Sequence, residues 1–201
     1  MFAIVESGSI TSMPNGNKGI TIGDNQYPAA IFTLWTEAER NAIGVYTIEI
    51  DDTNKKDEEY YINTNITYAF SDGKVKGTYG TAAARSLVDT DATDGEGNKL
   101  KDSDGNQIIN EGLKTTKKRL LDDQCKYLLE PSDWMVVRAT ETETTMDSGW
   151  KTWRASVRTK CNSMQTQIDN AADVDALAAL FTYTTTDGVT SRPLGEFPVK
   201  E

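Results

Sequence analysis

Residues 150–168 read WKTWRASVRTKCNSMQTQI, and within them Trp150, Trp153, Val157, Cys161, Met164 and Ile168 stand at spacings of 3, 4, 4, 3 and 4. An α-helix completes a turn in about 3.6 residues, so these six side chains form one apolar stripe, and such a stripe has to be covered. Upstream, Leu113, Leu120, Leu121, Cys125, Leu128 and Leu129 make a comparable stripe that Pro131 helps to end. Two stripes of this kind predict a helical hairpin, with Trp150 and Trp153 in the core between the helices. Downstream, Asp173 is a suitable N-cap for a third, shorter helix from Val174 to Phe181, with Leu177, Leu180 and Phe181 on its inner face.

The first 80 or so residues carry a different period. FAIVESGSI reads as a short strand, PNGNKG as a turn, and Pro28 marks a strand edge or an entry into extended structure. Thr36 followed by Glu39 fits a capping box for one or two helical turns, which Gly44 is placed to close. VYTIEI is strand-like, and Tyr60, Ile62, Thr64, Ile66 and Tyr68 alternate with a more polar set. With the turn SDGK, this predicts a hairpin over residues 60–79.

Between these zones lies an acidic stretch with an internal echo, DGEGNKL at 94–100 and DSDGNQI at 102–108. Asp89, Asp91, Asp94, Asp102 and Asp104 offer hard oxygen ligands, but DTDATDG does not fit the spacing of a helix-loop-helix calcium loop and no closing glutamate follows. Small successive turns are the expectation, and no metal is assigned. The fold class predicted is therefore α+β: a β-rich domain over 1–84, an acidic turn-rich connector over 85–111, a helical domain over 112–182 and a tail over 183–201.

Composition narrows the function. A formal net charge of -10 repels phosphate backbones and anionic lipid at long range, so neither nucleic acid nor membrane is an expected partner. No apolar run reaches membrane-spanning length, and MFAIVESGSI lacks the pattern of a signal peptide, so a soluble protein made in the cytoplasm is expected. Cys125 and Cys161 are too few for a disulfide framework and read as small apolar fillers. The chain has no histidine, which removes Ser-His and Cys-His nucleophile systems, and it has no phosphate-binding glycine loop or nucleophile elbow. The expectation is a non-enzymatic protein with no catalytic residue and no cofactor.

Residues 131–149, PSDWMVVRATETETTMDSG, form a link longer than a helical hairpin needs. Two roles are open for Trp134 and the residues after it. Trp134, Met135, Val136 and Val137 can cap the open end of the hairpin while Arg138 pairs with an acidic neighbour. Alternatively, the segment is a docking surface, since Trp and Arg dominate interface energetics. The candidate partner-binding residues are Asp133, Trp134, Arg138, Arg154 and Arg158.

GLKTTKKR at 112–119, LLEPSDWMVVR at 128–138 and WRASVR at 153–158 together resemble the C-terminal region of tail-fibre assembly and tail-fibre-associated proteins of tailed bacteriophages. In that family a Gly-Leu-Lys start, a Leu-Leu pair, a Thr/Ser-Asp-Trp and a later Tyr-Arg recur. The acidic Gly-Asn turns before Gly112 are similar to the family, as is QYPAAIFTLWTEAERNAIGVY at 26–46 to the N-terminal region of its longer members. MDSGW at 146–150 departs from the proline-containing start expected for the second helix, and Trp153 stands where Tyr is usual. The resemblance implies a protein that engages a trimeric tail-fibre protein, as a structural adaptor or assembly factor in the virion or as a transient chaperone in the host cytoplasm. A fibre-tip adhesin that binds a host surface receptor is the rival.

Overall fold

The computed structural model describes residues 1–200, and the chain divides into two compact units, the first running from Met1 to Ala83 and the second beginning at Ala84. Strands dominate the first and helices the second, an α+β class.

In the first unit, FAIVESGSI is a hairpin of two strands, β1 (Phe2–Glu6) and β2 (Ser9–Ser12), because Ser7 and Gly8 both take positive φ and reverse the chain between them. A small ribbon, β3 (Ile20–Ile22) and β4 (Asn25–Tyr27), leads to two short helices, α1 (Ile31–Leu34) and α2 (Glu37–Ala42). The capping box forms as expected: Thr36 Oγ1 accepts from Glu39 N (3.3 Å), and the Glu39 carboxylate accepts from Thr36 N (2.7 Å). Gly44 N then donates to Asn41 O (3.0 Å) and the helix stops.

β5 (Val45–Asp51), β7 (Ile66–Ser71) and β8 (Lys74–Tyr79) complete a sheet ordered β2-β1-β5-β8-β7, antiparallel except for the β5–β8 pair. The expected hairpin over 60–79 is thus shortened to β7 and β8. Tyr61 and Ile62 form a separate two-residue strand, β6, and Ile62 is exposed because the alternation breaks at residues 63–65. Strand alternation sends Ile4 and Val45 to one face, where Ile31 and Phe32 of α1 cover them, and Ala3, Ile48 and Val75 to the other. The edge strands β2 and β7 lie against each other, so the sheet curls around the second cluster, which Tyr46, Tyr68 and Phe70 fill. A two-residue strand, β9 (Ala83–Ala84), follows.

The acidic stretch begins the second unit, and its echo is structural. Asp94 Oδ1 accepts from the amides of Glu96 and Asn98 (both 2.9 Å), and Asp102 Oδ1 repeats this with Asp104 (2.9 Å) and Asn106 (2.8 Å). Gly97 (φ 88°) and Gly105 (φ 85°) occupy the left-handed positions that each turn requires. These carboxylates are engaged in shaping turns. Eight residues apart, Ala92, Leu100 and Ile108 close a ring: Ala92 N donates to Ile108 O (2.8 Å), Ile108 N to Leu100 O (3.0 Å) and Leu100 N to Ala92 O (2.8 Å). Strands β10 (Thr90–Asp91) and β11 (Ile109–Asn110) pair beside it.

The stretch docks onto the first long helix, α3 (Leu113–Leu129), through Leu113 N to Ser86 O (2.9 Å) and Gly112 N to Asp89 Oδ1 (2.7 Å). Gly112 is the N-cap of α3, and a Cβ there would run into the backbone of Val88, so no larger residue fits. α3 packs antiparallel on α5 (Ser148–Asn170): Lys118 near the start of α3 pairs with Asp169 near the end of α5 (2.8 Å), and Leu129 lies beside Arg154. Val157, Cys161, Met164 and Ile168 are buried as their spacing requires, and Leu113 and Leu121 of α3 are buried as well. Leu120 is instead exposed, and Lys117, one turn after Leu113, is buried with its Nζ 4.4 Å from the centre of the Phe181 ring. α6 (Val174–Phe181) starts at Asp173, whose Oδ1 accepts from Ala176 N (2.7 Å).

Residues 183–200 form no loose tail. A hairpin of β12 (Thr184–Thr186) and β13 (Val189–Ser191) returns the chain so that Leu194 is fully buried, its amide bound to Leu180 O (3.1 Å) and its carbonyl to Lys160 Nζ (3.0 Å). This return accounts for the tryptophans. Trp153 Nε1 donates to Pro198 O (2.9 Å), Trp150 meets Trp153 edge-on at 5.6 Å, and Lys200 Nζ stands 5.3 Å from the centre of the Trp150 ring. Both indoles are half-buried, with their polar contacts made to the C-terminal segment rather than to α3, which corrects their expected place in the hairpin core.

Candidate partner-binding face

The link between the long helices is itself largely helical, a correction to the loop expected there. Pro131 sits in a 3₁₀ turn, Glu130–Ser132, at a position whose missing amide costs nothing, and the chain runs on into α4 (Asp133–Glu141). α4 ends where Thr144 N donates to Ala139 O (3.0 Å) and Glu143 takes positive φ. Asp147 Oδ1 accepts from Trp150 N (3.1 Å) and starts α5 without a proline.

Arg154 fixes this junction. Its guanidinium donates to Leu129 O (2.7 Å), to Ser132 Oγ and to Asp133 Oδ1 (2.6 Å), while only 4% of the residue is exposed. It thus satisfies a carbonyl at the C-terminal, negative end of α3 and ties the first residue of α4 to α5. As a surface contact Arg154 is therefore ruled out, and Asp133 is its ion-pair partner. Both hold α4 in position.

α4 has no buried residue. Trp134 is 55% exposed and Val137 54%, and Val136 and Arg138 are exposed as well. The first role weighed for this segment, capping the open end of the hairpin, is not met. Trp134 and the valines seal no core, and the Arg138 side chain meets no carboxylate among the described residues. Arg158 is exposed on α5 and also has no acidic partner among them.

Two concavities flank the α4–α5 turn. One, of about 470 Å³, has Val136 and Met146 on its apolar side and Lys151, Arg154 and Arg158 on the other. The second, of about 700 Å³, is lined by Trp134, Met135, Arg138 and Trp150 among others. Trp134 and Arg138 thus line one concavity and Arg158 the other. Sequence reasoning missed Lys151 and Met146, although Lys151 stands three residues before Arg154 and seven before Arg158, on the same helical face.

No protein-family model, curated protein or solved structure matches the chain.

Proposed function

We propose that this chain is a non-enzymatic tail-fibre-associated protein of a tailed bacteriophage, which binds a trimeric fibre protein as a structural adaptor or assembly factor in the virion. The observation that carries the proposal is α4, a nine-residue helix with no buried residue, an exposed Trp and two exposed valines, yet held at its first residue by a buried guanidinium. An uncovered helix that presents an indole and two valines is what a protein interface uses, because an aromatic anchor loses little conformational freedom on binding. The motifs behind the family resemblance have physical roles in the same region. Gly112 lets the connector reach α3, and the Ser-Asp-Trp and Trp-Arg segments meet in the Arg154–Asp133 pair.

The test is co-expression with the fibre protein encoded beside it, followed by mass analysis of denatured, purified virions. The chain at fixed stoichiometry in virions supports the adaptor. Its presence only on immature fibre in lysate supports a transient chaperone instead. Failure to bind fibre in either setting removes both, and leaves receptor binding at the fibre tip as the reading to pursue.

A further inference from the structure

We infer that the groove between α4 and α5 takes a carboxylate-bearing polypeptide segment with an apolar anchor; this rests on the fibre-binding reading above and specifies the chemistry of the fibre surface bound. The chain has 31 acidic and 21 basic residues, yet no carboxylate is among the side chains that line the 470 Å³ concavity. Lys151, Arg154 and Arg158 share one face of α5 there, spread over about 10 Å of helix. Arg154 is already committed to Asp133, Ser132 and Leu129. Lys151 and Arg158 are exposed, and among the described residues neither side chain meets an acceptor.

Two uncommitted cations on an otherwise acidic protein are a complementary site for a few carboxylates, and their separation matches acidic side chains about three residues apart on an extended segment. Val136 and Met146 add apolar surface to the same concavity, and Trp134 and Trp150, with Asp147, line the neighbouring one. A peptide meets both surfaces at once. A phosphodiester chain is repelled at long range by the net charge of -10.

The experiment compares the full-length wild type with Lys151→Glu/Arg158→Glu, both positions being exposed. Affinity for the purified neighbouring fibre trimer is measured at low and high salt, with melting temperature as a check on folding. The expected result is binding that weakens at least about tenfold in the double variant and falls with salt, at an unchanged melting temperature. Lys151→Gln/Arg158→Gln provides the same test should the charge reversal disturb folding. Equal, salt-independent binding by wild type and variants overturns the inference while the fibre-binding reading stands. If wild type binds no fibre, that reading fails, and the groove is decided by a short fluorescein-labelled peptide of alternating leucine and glutamate. Saturable binding lost in the double variant supports the inference; no binding, or more effective displacement by a DNA oligonucleotide of equal charge, overturns it.

Discussion

Arg154 on α5 and Asp133 at the start of α4 stand 2.6 Å apart across 21 residues of sequence, with the arginine side chain 5% exposed and the aspartate 59%. The asymmetry decides what each contributes. Arg154→Ala removes the buried guanidinium donor from Ser132 Oγ and from Leu129 O, which keeps only the Ser132 hydroxyl (2.9 Å), and is expected to cost about 2–4 kcal/mol in a urea titration. Asp133→Asn, at a solvated carboxylate, is expected to cost under about 1 kcal/mol. Equal losses from the two would mean that the ion pair, rather than the carbonyl and hydroxyl contacts, holds the junction.

Trp134→Ala separates binding from stability. An indole 55% exposed adds little to the isolated fold, so the melting temperature stays within a degree or two while fibre affinity drops by about 2 kcal/mol or more. A clear fall in melting temperature with intact binding would place Trp134 in the fold instead.

Leu194 is a core residue supplied by the last part of the chain. Leu194→Ala is expected to cost about 2–5 kcal/mol, read by thermal or denaturant unfolding of the full chain. Trp153→Phe, which removes the Nε1 donor to Pro198 O together with part of the half-buried ring system, should cost about 1–3 kcal/mol. Neutral results at both positions would detach residues 183–200 from the unit described.

The Cys161 thiol is pushed up to about 12, first by burial and then by Cys125 beside it. Because the folded value is raised above the ordinary 9.0, the stability gained from the neutral thiol is present below pH 9 and is lost as pH climbs towards 12. At mildly alkaline pH an aromatic disulfide reagent should modify one thiol quickly, that of the partly exposed Cys125, and Cys161 only on unfolding. Two fast thiols would contradict the buried placement.

Asp94 and Asp102 are both held below the ordinary aspartate value, Asp94 chiefly by the Asn98 side-chain amide and Asp102 chiefly by the Asn106 backbone amide. Depressed folded values mean that the turns gain stability above about pH 4 and lose it as pH falls through the folded values. Backbone amide shifts of Asn98 and Asn106 should therefore titrate together below pH 4. Titration at the ordinary value would show that the Asx turns are not formed in solution.

Periodicity located the strongest helices, but it says only that a side is covered, not by what. Trp150 and Trp153 continue the stripe of Val157 and Cys161, yet their partner Pro198 lies 45 residues beyond Trp153, at a separation no local pattern encodes. Arg154 and Lys117 were legible in principle. Each sits on a buried stripe, Arg154 three residues before Val157 and Lys117 midway between Leu113 and Leu121, and a charged residue at such a position has to find partners inside. α4 was hidden by Pro131, which normally stops a helix but here occupies a 3₁₀ turn between two of them. Of the candidate residues, Trp134 and Arg138 line one concavity and Arg158 the other, and the concavities themselves depend on how α4 is placed relative to α5 and have no local signature.

The ring of Ala92, Leu100 and Ile108 is a closed circuit: each residue's N–H and C=O is taken by the other two, and the Gln107 side-chain amide ties two of its carbonyls together, donating to Ala92 O (3.1 Å) and Ile108 O (2.8 Å). Length in this segment is therefore quantised. Adding or deleting one whole eight-residue unit would open the circuit, whereas residues 95–96 and 103–104, at the exposed turn tips, can change identity without touching it. Such a frame leaves two outward-facing loop tips whose side chains can vary while the residue count of each unit, set by the Asp94 and Asp102 turns, stays fixed.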